Sequence, residues 1–409
     1  MLQAIVQSNE PLGKFLIAFR GAFRNHPQYR HFQAYVVALL IYLGSRNLAG
    51  LSRALPDGRS ACSLYRFVAE MDWDIEQVEQ VRWEMLNRHT RRALQAARHG
   101  KPVPIFLIID DSVVEKTGKK MAGVDYHYAH SVGRTVLGHA WVTGHLVVLG
   151  QSYPVSWKLY RRRVSCEAVG VPFASKPELA QTIIQGFEPL PGTQVYVLTD
   201  SWYPSQEILN VCQAQSFHLI SAVKSNRKFK ADGDALQVTE WQQGLPEEAF
   251  DLVTVNATGY QVWSATGRLS SGHSVRLVMN RVVGQERWRY LVSTDLALTP
   301  QTILSYYLVR WEVENFYRVA KQSLGWGDYQ MRDLFAIERH VQLMMVAHAY
   351  LELQRQEALA SADDPETHVT LGDIQRQLQS HSRRTEIAQV FDLAHRGFAL
   401  ETIYQRLAA

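Results

Sequence analysis

Apolar residues recur at helical spacing in the N-terminal part of the chain. The apolar run at 32–43 and the apolar positions every three or four residues in 47–55 and 60–68 predict helices. The turn-forming residues 56–58 separate the last two of these helices. Two short helices joined by a tight turn are typical of a helix-turn-helix, although a plain helical hairpin has the same pattern. We interpret residues 1–98 as a helical domain, with DNA binding as one hypothesis for its role.

Beyond this region the pattern becomes one of short, continuous apolar runs that alternate with helical segments. A capping box at Ser175–Glu178 begins one of these helices. In chain order the predicted elements are strands 103–110, 136–150 and 153–160, helix 175–187, strand 194–200, helix 205–215 and strand 217–224. This order predicts a mixed sheet covered by helices, and it matches the order of elements in the ribonuclease-H-like fold.

Residues 230–298 interrupt the alternation and predict a β-rich insertion. Glycines separate its short predicted strands, which lie at 251–256, 261–266, 274–279 and 287–293. Thr299 and Pro300 then begin a long predicted helix, as N-cap and first helical residue, that extends to about Leu324. Residues 331–409 again predict helices, with a polar break at 361–366.

The predicted architecture is therefore an α/β fold in which a ribonuclease-H-like mixed sheet carries a β-rich insertion, with helical regions at both ends. More than one domain is expected for 409 residues. The predicted parts are the helical N-terminal domain (1–98), the first part of the sheet core (99–229), the β-rich insertion (230–298), the core helix (299–330) and the helical C-terminal region (331–409).

Composition narrows the class of protein. With 46% hydrophobic and 20% charged residues, the chain has the profile of a soluble globular protein. The longest apolar stretch, 35–43, is too short to span a bilayer, and the N-terminus has no signal-peptide pattern, so we expect a cytoplasmic protein with no membrane partner. Its three cysteines form no C-x-x-C pair, which argues against a disulfide framework and against a cysteine-based zinc site.

The net charge of +4 is too small to indicate nucleic-acid binding by itself. The positions of the basic residues are more informative, because several of them cluster. The clusters are Arg91–Arg92, Arg161–Arg163, Arg227–Lys228 and Lys230. Each could be a solvated surface or a contact for a polyanion, and Arg161, Arg162 and Lys228 are the candidates that we select.

Two predicted strands end in an aspartate, Asp110 and Asp200. Ligand sites of open sheets lie at the carboxyl ends of strands, so these two side chains are expected at one edge. Asp111 remains an alternative to Asp110, because neighbouring residues of a strand point to opposite faces.

The predicted long helix offers a third carboxylate, either Glu312 or Glu314. At about 100° per residue, Glu314 falls within an arc of roughly 60° together with Tyr307, Arg310 and Lys321, whereas Glu312 lies far around the helix. If this face packs on the sheet edge, Glu314 reaches the two aspartates and the two cations add positive charge.

Three carboxylates close together are typical of a metal site, since like charges would otherwise repel one another. Two divalent ions about 3.5–4 Å apart relieve this repulsion and organise in-line attack at phosphorus. Oxygen ligands favour Mg²⁺, with Mn²⁺ as a substitute, over zinc.

The spacing of four residues on the predicted helix resembles that of a known family. The spacing Tyr307-x₂-Arg310-x₃-Glu314-x₆-Lys321 reproduces the Y-R-E-K signature of bacterial insertion-sequence transposases. The segments 107–118 and 199–203 resemble those around the first and second aspartates of these enzymes. The sequence thus resembles DDE transposases of the insertion-sequence-four superfamily and, within it, the seven-hundred-and-one family.

The resemblance implies a role for each matching residue. Asp110, Asp200 and Glu314 would be the catalytic, metal-binding carboxylates. Arg310 and Lys321 would contact DNA phosphates near them, and Tyr307 would position the terminal nucleotides. The family also has a β-rich insertion between the second aspartate and the glutamate, in agreement with the insertion predicted above.

The implied activity is cut-and-paste transposition. The protein would bind terminal inverted repeats, cleave phosphodiester bonds, and join 3′ ends to target DNA, as a homodimer on DNA associated with the nucleoid. Two alternatives are a domesticated, catalytically silent DNA-binding protein of the same fold and a structure-selective nuclease.

Several other residues could carry chemistry, but a structural role is the simpler interpretation for most of them. Ser201 lacks a His–Asp partnership. Lys116, Lys119 and Lys120 could touch DNA or lie in a solvated loop. Four histidines match no spacing of a zinc site: His127, His130, His139 and His145. Three tryptophans could stack on a base, but no spacing selects one of them: Trp202, Trp263 and Trp288.

Overall fold

The computed structural model describes residues 2–55, 59–97, 100–129, 132–231, 233, 235–364 and 367–408. The predicted turn at 56–58, His130 and the last two residues of the predicted break at 361–366 lie outside this part of the chain. The chain forms two compact units. The first consists of Met1–Arg92, Val114–His139 and Phe316–Ala409, and the second of Ala93–Val113 and Ala140–Asn315.

Helices fill the N-terminal region, as the apolar spacing predicts. They are α1 (Leu2–Ser8), α2 (Glu10–Ile17), α3 (His26–Ile41), α4 (Leu48–Ala54), α5 (Ala61–Ala69) and α6 (Ile75–Ala97). The side chain of Asn47 accepts a hydrogen bond from Gly50 N–H, and that of Ser60 accepts one from Ser63 N–H. These caps begin α4 and α5 because they satisfy N–H groups that have no partner within the helix.

The α/β region follows the predicted order, with two short additions, β2 and α7. Its elements are β1 (Val103–Glu115), β2 (Asp125–Ala129), β3 (Arg134–Val148), β4 (Gln151–Tyr160), α7 (Arg163–Val169), α8 (Lys176–Gln185), β5 (Thr193–Thr199), α9 (Gln206–Ala214) and β6 (His218–Ala222). The predicted capping box of Ser175 and Glu178 begins α8. The first predicted strand is longer than expected, since β1 continues five residues beyond Asp110.

The segment predicted as an insertion contains all four expected strands. Its elements are β7 (Lys228–Lys230), β8 (Leu236–Gln237), α10 (Val238–Gln243), β9 (Asp251–Val255), β10 (Thr258–Leu269), β11 (Ser274–Val282) and β12 (Arg289–Ser293). Strand β12 pairs antiparallel with β6, and Val292 lies opposite Ser221. These strands therefore extend the sheet of the α/β region, a pairing that the hydrophobic pattern does not predict.

The sheet of the second unit is open, mixed and largely antiparallel. Along its main path the strand order is β3-β1-β5-β6-β12-β11-β10-β7-β8, while β4 pairs with β3 and β9 pairs with β10. The parallel pairs are β1 with β5 and β5 with β6. In the first unit, β2 pairs antiparallel with the beginning of β3, from Asp125 opposite Gly138 to Ala129 opposite Arg134.

The prediction of a single long helix from Thr299 is wrong in one respect. The structure has two helices in this segment, α11 (Pro300–Leu308) and α12 (Trp311–Ser323). Thr299 is the N-cap, as predicted. At the division, Arg310 N–H donates to Tyr307 O and Val313 N–H donates to Arg310 O, which is the tighter three-residue spacing. Val309, at the end of α11, keeps right-handed helical backbone angles, so the chain continues into α12 with little change of direction.

Helices also fill the C-terminal region. They are α13 (Leu334–Ala360), α14 (Leu371–His395) and α15 (Leu400–Ala408). Most of α13 is buried, and it packs against α3, α5 and α14, so the N-terminal and C-terminal helices share the core of the first unit. None of the described helices combines the length and the apolar character that a membrane crossing requires.

A buried arginine connects α13 to the end of α5 and the loop after it by hydrogen bonds. Arg339 of α13 is 2% exposed. Its guanidinium donates to three carbonyl oxygens at the end of α5 and in the loop after it, those of Val68, Met71 and Trp73, at 3.3, 2.6 and 2.8 Å. It also lies 4.2 Å from the centre of the Trp73 ring. One side chain thus satisfies carbonyl groups that would otherwise be buried without partners.

Replacing this arginine should destabilise the first unit. We expect Arg339→Met to lower the free energy of unfolding by about 3 kcal/mol, because the carbonyl oxygens lose their donors while the apolar volume is kept. Urea denaturation followed by circular dichroism measures the change. Arg53→Met, at an exposed position of α4, is the control and should change stability little. Equal stabilities of the two variants would contradict this role of Arg339.

Candidate active site

Strand register brings two of the predicted carboxylates to one edge of the sheet. In the parallel pair of β1 and β5, Ile109 lies opposite Thr199. Asp110 is the next residue of β1. Asp200 is the first residue after β5, which ends at Thr199. The backbone N–H of Trp202 donates to Asp200 Oδ1 at 2.9 Å, which fixes the start of the loop after β5. The two aspartates therefore come together at the carboxyl end of β5.

Asp110 is held by two donors in a poorly solvated position. Its Oδ1 accepts from the backbone N–H of Asp111 at 2.8 Å, and its Oδ2 accepts from Arg310 Nη1 at 3.0 Å. Its side chain is 13% exposed. Burial raises the pKa of Asp110 to about 7; Arg310 opposes this rise and the charge of Asp200 adds to it. A neighbouring carboxylate and loss of water thus disfavour the ionised form despite the ion pair.

Arg310 connects this aspartate to the third predicted carboxylate. Its Nη1 lies 3.8 Å from Glu314 Oε1, one helical turn further along α12. The Glu314 side chain is 41% exposed, much more than that of Asp110. Glu312 lies apart from these groups and accepts from Asn315 Nδ2 at 3.4 Å. Arg310 and Glu314 therefore share a face despite the division of the helix, as the helical phase predicts for this pair.

Tyr307 also belongs to this cluster of charges. Burial raises the pKa of its hydroxyl, Arg310 opposes the rise, and the charges of Asp200 and Asp110 increase it. The second unit therefore brings together five of the predicted site residues: Asp110, Asp200, Tyr307, Arg310 and Glu314.

The neighbouring Asp111 has different partners. Its Oδ1 accepts from the Tyr203 hydroxyl at 2.9 Å, and its Oδ2 accepts from Lys176 Nζ at 2.5 Å. Asp110 and Asp111 thus bind different groups, as strand alternation requires. The sequence argument missed Lys176 and Tyr203. The available signals were their places beside the cap of α8 and three residues after Asp200, but neither signal names a partner.

The structure does not place the remaining predicted DNA contacts in this cluster. Lys321 belongs to the first unit, where its Nζ lies 6.0 Å from the centre of the Tyr317 ring. Arg161 and Arg162 follow β4, and Arg162 is exposed. Lys228 is exposed at the start of β7. The clustering of basic residues thus selected Arg162 and Lys228 at exposed positions and Arg161 at a half-buried one, without indicating what they contact.

Two groups weighed from the sequence have structural partners in the first unit. His139 lies between the Tyr329 hydroxyl, at 2.8 Å, and Ala122 O, at 2.9 Å. Lys116 is buried and donates to Gly327 O and Tyr329 O at 2.7 and 2.8 Å. Both interpretations considered for Lys116, a DNA contact and a solvated loop, are therefore wrong, because carbonyl oxygens enclose its ammonium group.

The donor set fits a hard divalent cation. Asp110 is a partly buried carboxylate beside a second carboxylate, and burial and the charge of Asp200 raise its pKa more than Arg310 lowers it. Carboxylate oxygens are the ligands that Mg²⁺ and Mn²⁺ favour. As the described side chains stand, no three His, Cys, Asp or Glu residues could jointly hold an ion. Arg310 contacts both Asp110 and Glu314, so ion binding by all three carboxylates requires its side chain to shift.

Comparison with protein-family models identifies the family of the chain. The model for DDE superfamily endonucleases matches residues 18–259, and the model for transposase DDE domain group 1 matches residues 168–382. Each covers more than half of the chain. The first includes Asp110 and Asp200, and the second includes Asp200 and Glu314. The chain belongs to the DDE superfamily.

A curated relative narrows the class further. The chain is 26% identical, over 281 residues, to a probable transposase for insertion sequence element IS701 of Microchaete diplosiphon. The match covers 68% of this chain and 70% of the relative. The family models show a DDE transposase, and the similarity to this relative supports the insertion-sequence type that the Y-R-E-K spacing predicts. Enzymes of this class cleave DNA and depend on divalent metal ions.

The raised pKa of Asp110 predicts a pH dependence of stability in metal-free buffer. Between pH 4 and 7 the folded protein keeps a proton on Asp110 that the unfolded chain releases. The free energy of unfolding of the wild type should therefore fall relative to Asp110→Asn as pH rises. The slope should be at most about 1.4 kcal/mol per pH unit, and it should level off above pH 7.

Urea denaturation of both proteins with a chelator present, from pH 4 to 8, measures this difference. Asp251→Asn, at an exposed position of β9, is the control and should follow the wild-type profile. A stability difference between wild type and Asp110→Asn that does not vary with pH would rule out the effect.

Proposed function

We propose that this transposase moves its own insertion sequence by cut-and-paste. It binds the terminal inverted repeats, cleaves phosphodiester bonds at the element ends, and joins the free 3′ ends to target DNA. The observation that carries the proposal is the parallel register that sets Asp110 beside Asp200, with Glu314 connected to Asp110 through Arg310. Three carboxylates at one edge are what two-metal phosphodiester chemistry requires.

Asp110, Asp200 and Glu314 are the proposed metal-binding residues, with Mg²⁺ as the metal and Mn²⁺ as a substitute. When bound, divalent ions would activate the attacking oxygen and stabilise charge at phosphorus. The partners of Asp111 support Asp110 as the first carboxylate, because the Asp111 oxygens are engaged by Lys176 and Tyr203. The exposure of Glu314 leaves it able to approach the two aspartates by a change of rotamer.

Arg310 and Tyr307 are the proposed DNA contacts nearest to the carboxylates. A guanidinium presents two parallel N–H donors to phosphate, and Arg310 now donates to Asp110. It can exchange that partner for a phosphate of the terminal nucleotide, which Tyr307 helps to position. Lys321, Arg161, Arg162 and Lys228 are proposed as contacts to the DNA backbone further away.

The fold supports the same proposal. In the second unit, β4, β3, β1, β5 and β6 are neighbours in this order, and β1, β5 and β6 are parallel. Three strands followed by a parallel pair support a ribonuclease-H-like core. The capped helices α4 and α5 pack together, which supports a helix-turn-helix for recognition of the repeats.

A homodimer on DNA is proposed because two element ends must be joined in one reaction. Acting on bacterial DNA, it would work at the nucleoid. The alternative of a domesticated, silent DNA-binding protein is less well supported, since all three carboxylates are present and Asp110 and Glu314 share one arginine. A structure-selective nuclease would cleave without strand transfer, and an assay for joined products distinguishes it.

Removing any of the three carboxylates should abolish cleavage. With Mg²⁺ and DNA that carries the element ends, we expect Asp110→Ala, Asp200→Ala and Glu314→Ala each to lower the cleavage rate more than about 100-fold, because loss of a metal ligand exceeds the usual effect of its supporting groups. Gel electrophoresis of end-labelled DNA measures the rate.

The matched control is Glu312→Ala, in the same first turn of α12, which should cleave at nearly the wild-type rate. Loss of cleavage in Glu312→Ala together with normal cleavage in Glu314→Ala would show that Glu312, and not Glu314, is the metal ligand. Binding of element ends by the wild type without any cleavage would favour the domesticated alternative.

A phosphate contact at Lys228 should appear in the salt dependence of DNA binding. Each such contact releases condensed counter-ions, so Lys228→Ala should reduce the slope of log K against log salt concentration by about 1, whatever the DNA sequence. Fluorescence anisotropy between 50 and 200 mM salt (roughly the range over which the effect is large) measures the slope. Lys14→Ala, at an exposed lysine of α2 paired with Glu10, should leave the slope unchanged. An unchanged slope in Lys228→Ala would remove this residue from the interface.

A further inference from the structure

Asp111 lies beside the proposed metal site but has partners of its own. Its two carboxylate oxygens accept from two different parts of the second unit: the Tyr203 hydroxyl in the loop after β5, and Lys176 Nζ at the first residue of α8. The side chains of Asp111 and Lys176 are 19% and 22% exposed. A partly buried carboxylate with a charged and a neutral donor is well satisfied, and both bonds are geometrically specific.

Tyr203 links this carboxylate to the loop that carries Asp200. Its ring is completely buried, three residues after Asp200, and its backbone N–H donates to Asp200 O at 3.4 Å. The next residue, Pro204, has its carbonyl held by Arg227 Nη2 at 2.8 Å. The Tyr203 hydroxyl therefore anchors this loop to β1 through Asp111.

Asp111 also holds the first proposed ligand directly. Its backbone N–H donates to Asp110 Oδ1 at 2.8 Å, which leaves Oδ2 for Arg310. The orientation of the Asp111 peptide therefore sets the rotamer of the Asp110 carboxylate. Since the Asp111 side chain is fixed by Tyr203 and Lys176, the same residue links the positions of Asp110 and Asp200.

We infer that Asp111, Tyr203 and Lys176 form a positioning network that sets the distance and orientation between the Asp110 and Asp200 carboxylates before any metal binds. The three residues act through the ligands and do not touch the reacting atoms. This inference rests on the proposed function, in which the two aspartates are metal ligands. It assigns Asp111 a positioning role, whereas the sequence left Asp111 open as an alternative metal ligand to Asp110.

The test removes one hydroxyl from the full-length protein. We expect Tyr203→Phe to weaken Mn²⁺ binding about tenfold, as for other groups that orient metal ligands. Isothermal titration with Mn²⁺ alone, without DNA, measures this affinity. The maximal rate of DNA cleavage should fall by a similar factor, while KM for the DNA ends stays the same, because the network contacts no DNA in this proposal.

The chain offers a matched control in the same unit. The Tyr196 hydroxyl donates to Asp295 Oδ2 at 2.9 Å, the same bond type and length as that between Tyr203 and Asp111. Tyr196→Phe should lower thermal stability about as much as Tyr203→Phe but leave Mn²⁺ affinity and cleavage unchanged. The comparison separates positioning from general stabilisation.

A second pair of variants tests whether the residues act as a unit. Asp111→Asn should weaken Mn²⁺ binding as Tyr203→Phe does, and the double variant should be little worse than either one, because breaking the network once removes its effect. Complete loss of Mn²⁺ binding in Asp111→Asn alone would instead identify Asp111 as a ligand and overturn the inference.

The outcomes distinguish the two proposals. If the wild type binds Mn²⁺ and Asp110→Ala does not, but Tyr203→Phe binds it with wild-type affinity, then the positioning network is wrong and the proposed function stands. If Asp110→Ala and Asp200→Ala bind Mn²⁺ as the wild type does, the proposed metal site is wrong. The positioning network, which depends on that site, is then wrong as well.

Discussion

The parallel pairing of β1 with β5 is the constraint on which the rest of the candidate site depends. It places Asp110 and Asp200 at one sheet edge, close enough that the charge of Asp200 helps to raise the pKa of the partly buried Asp110. Two such carboxylates disfavour ionisation unless positive charge is supplied. Arg310 supplies some of it, through a hydrogen bond to Asp110 and a looser contact with Glu314. The remaining excess of negative charge is what makes the site suited to a divalent cation.

Alternation along β1 gives two neighbouring aspartates, the proposed metal ligand Asp110 and the proposed positioning residue Asp111, different partners. Asp110 faces Arg310 and is close to Asp200, whereas Asp111 is held by Lys176 and Tyr203. The first keeps an incompletely compensated charge, and the second is satisfied on both oxygens. The uncompensated charge of Asp110 suits its proposed role as a metal ligand, and the two bonds of Asp111 suit its proposed role in positioning.

The first unit uses buried cations in another way. Arg339 and Lys116 donate to backbone carbonyl oxygens, those of the loop after α5 and those at 327 and 329. Burial lowers the pKa of Lys116 to about 7, with the charge of Asp328 opposing the change. These cations hold loops by satisfying carbonyl groups. They are positioned for stability, while Arg310 in the second unit pairs with carboxylates in the cluster of proposed ligands.

The sequence by itself determined the elements whose signals are local: the caps at Ser175 and Thr299, the order of the longer strands and helices, and the shared face of Arg310 and Glu314. It also determined the family, because the Y-R-E-K spacing lies within one short segment. Only the tertiary structure decided which partners Asp110 and Asp111 have, the pairing of β12 with β6, the division at Val309–Arg310 and the burial of Lys116. Caps and helical phase depend on residues within a few positions of each other. Most of these other features depend on contacts between residues far apart in the chain, which no local pattern encodes.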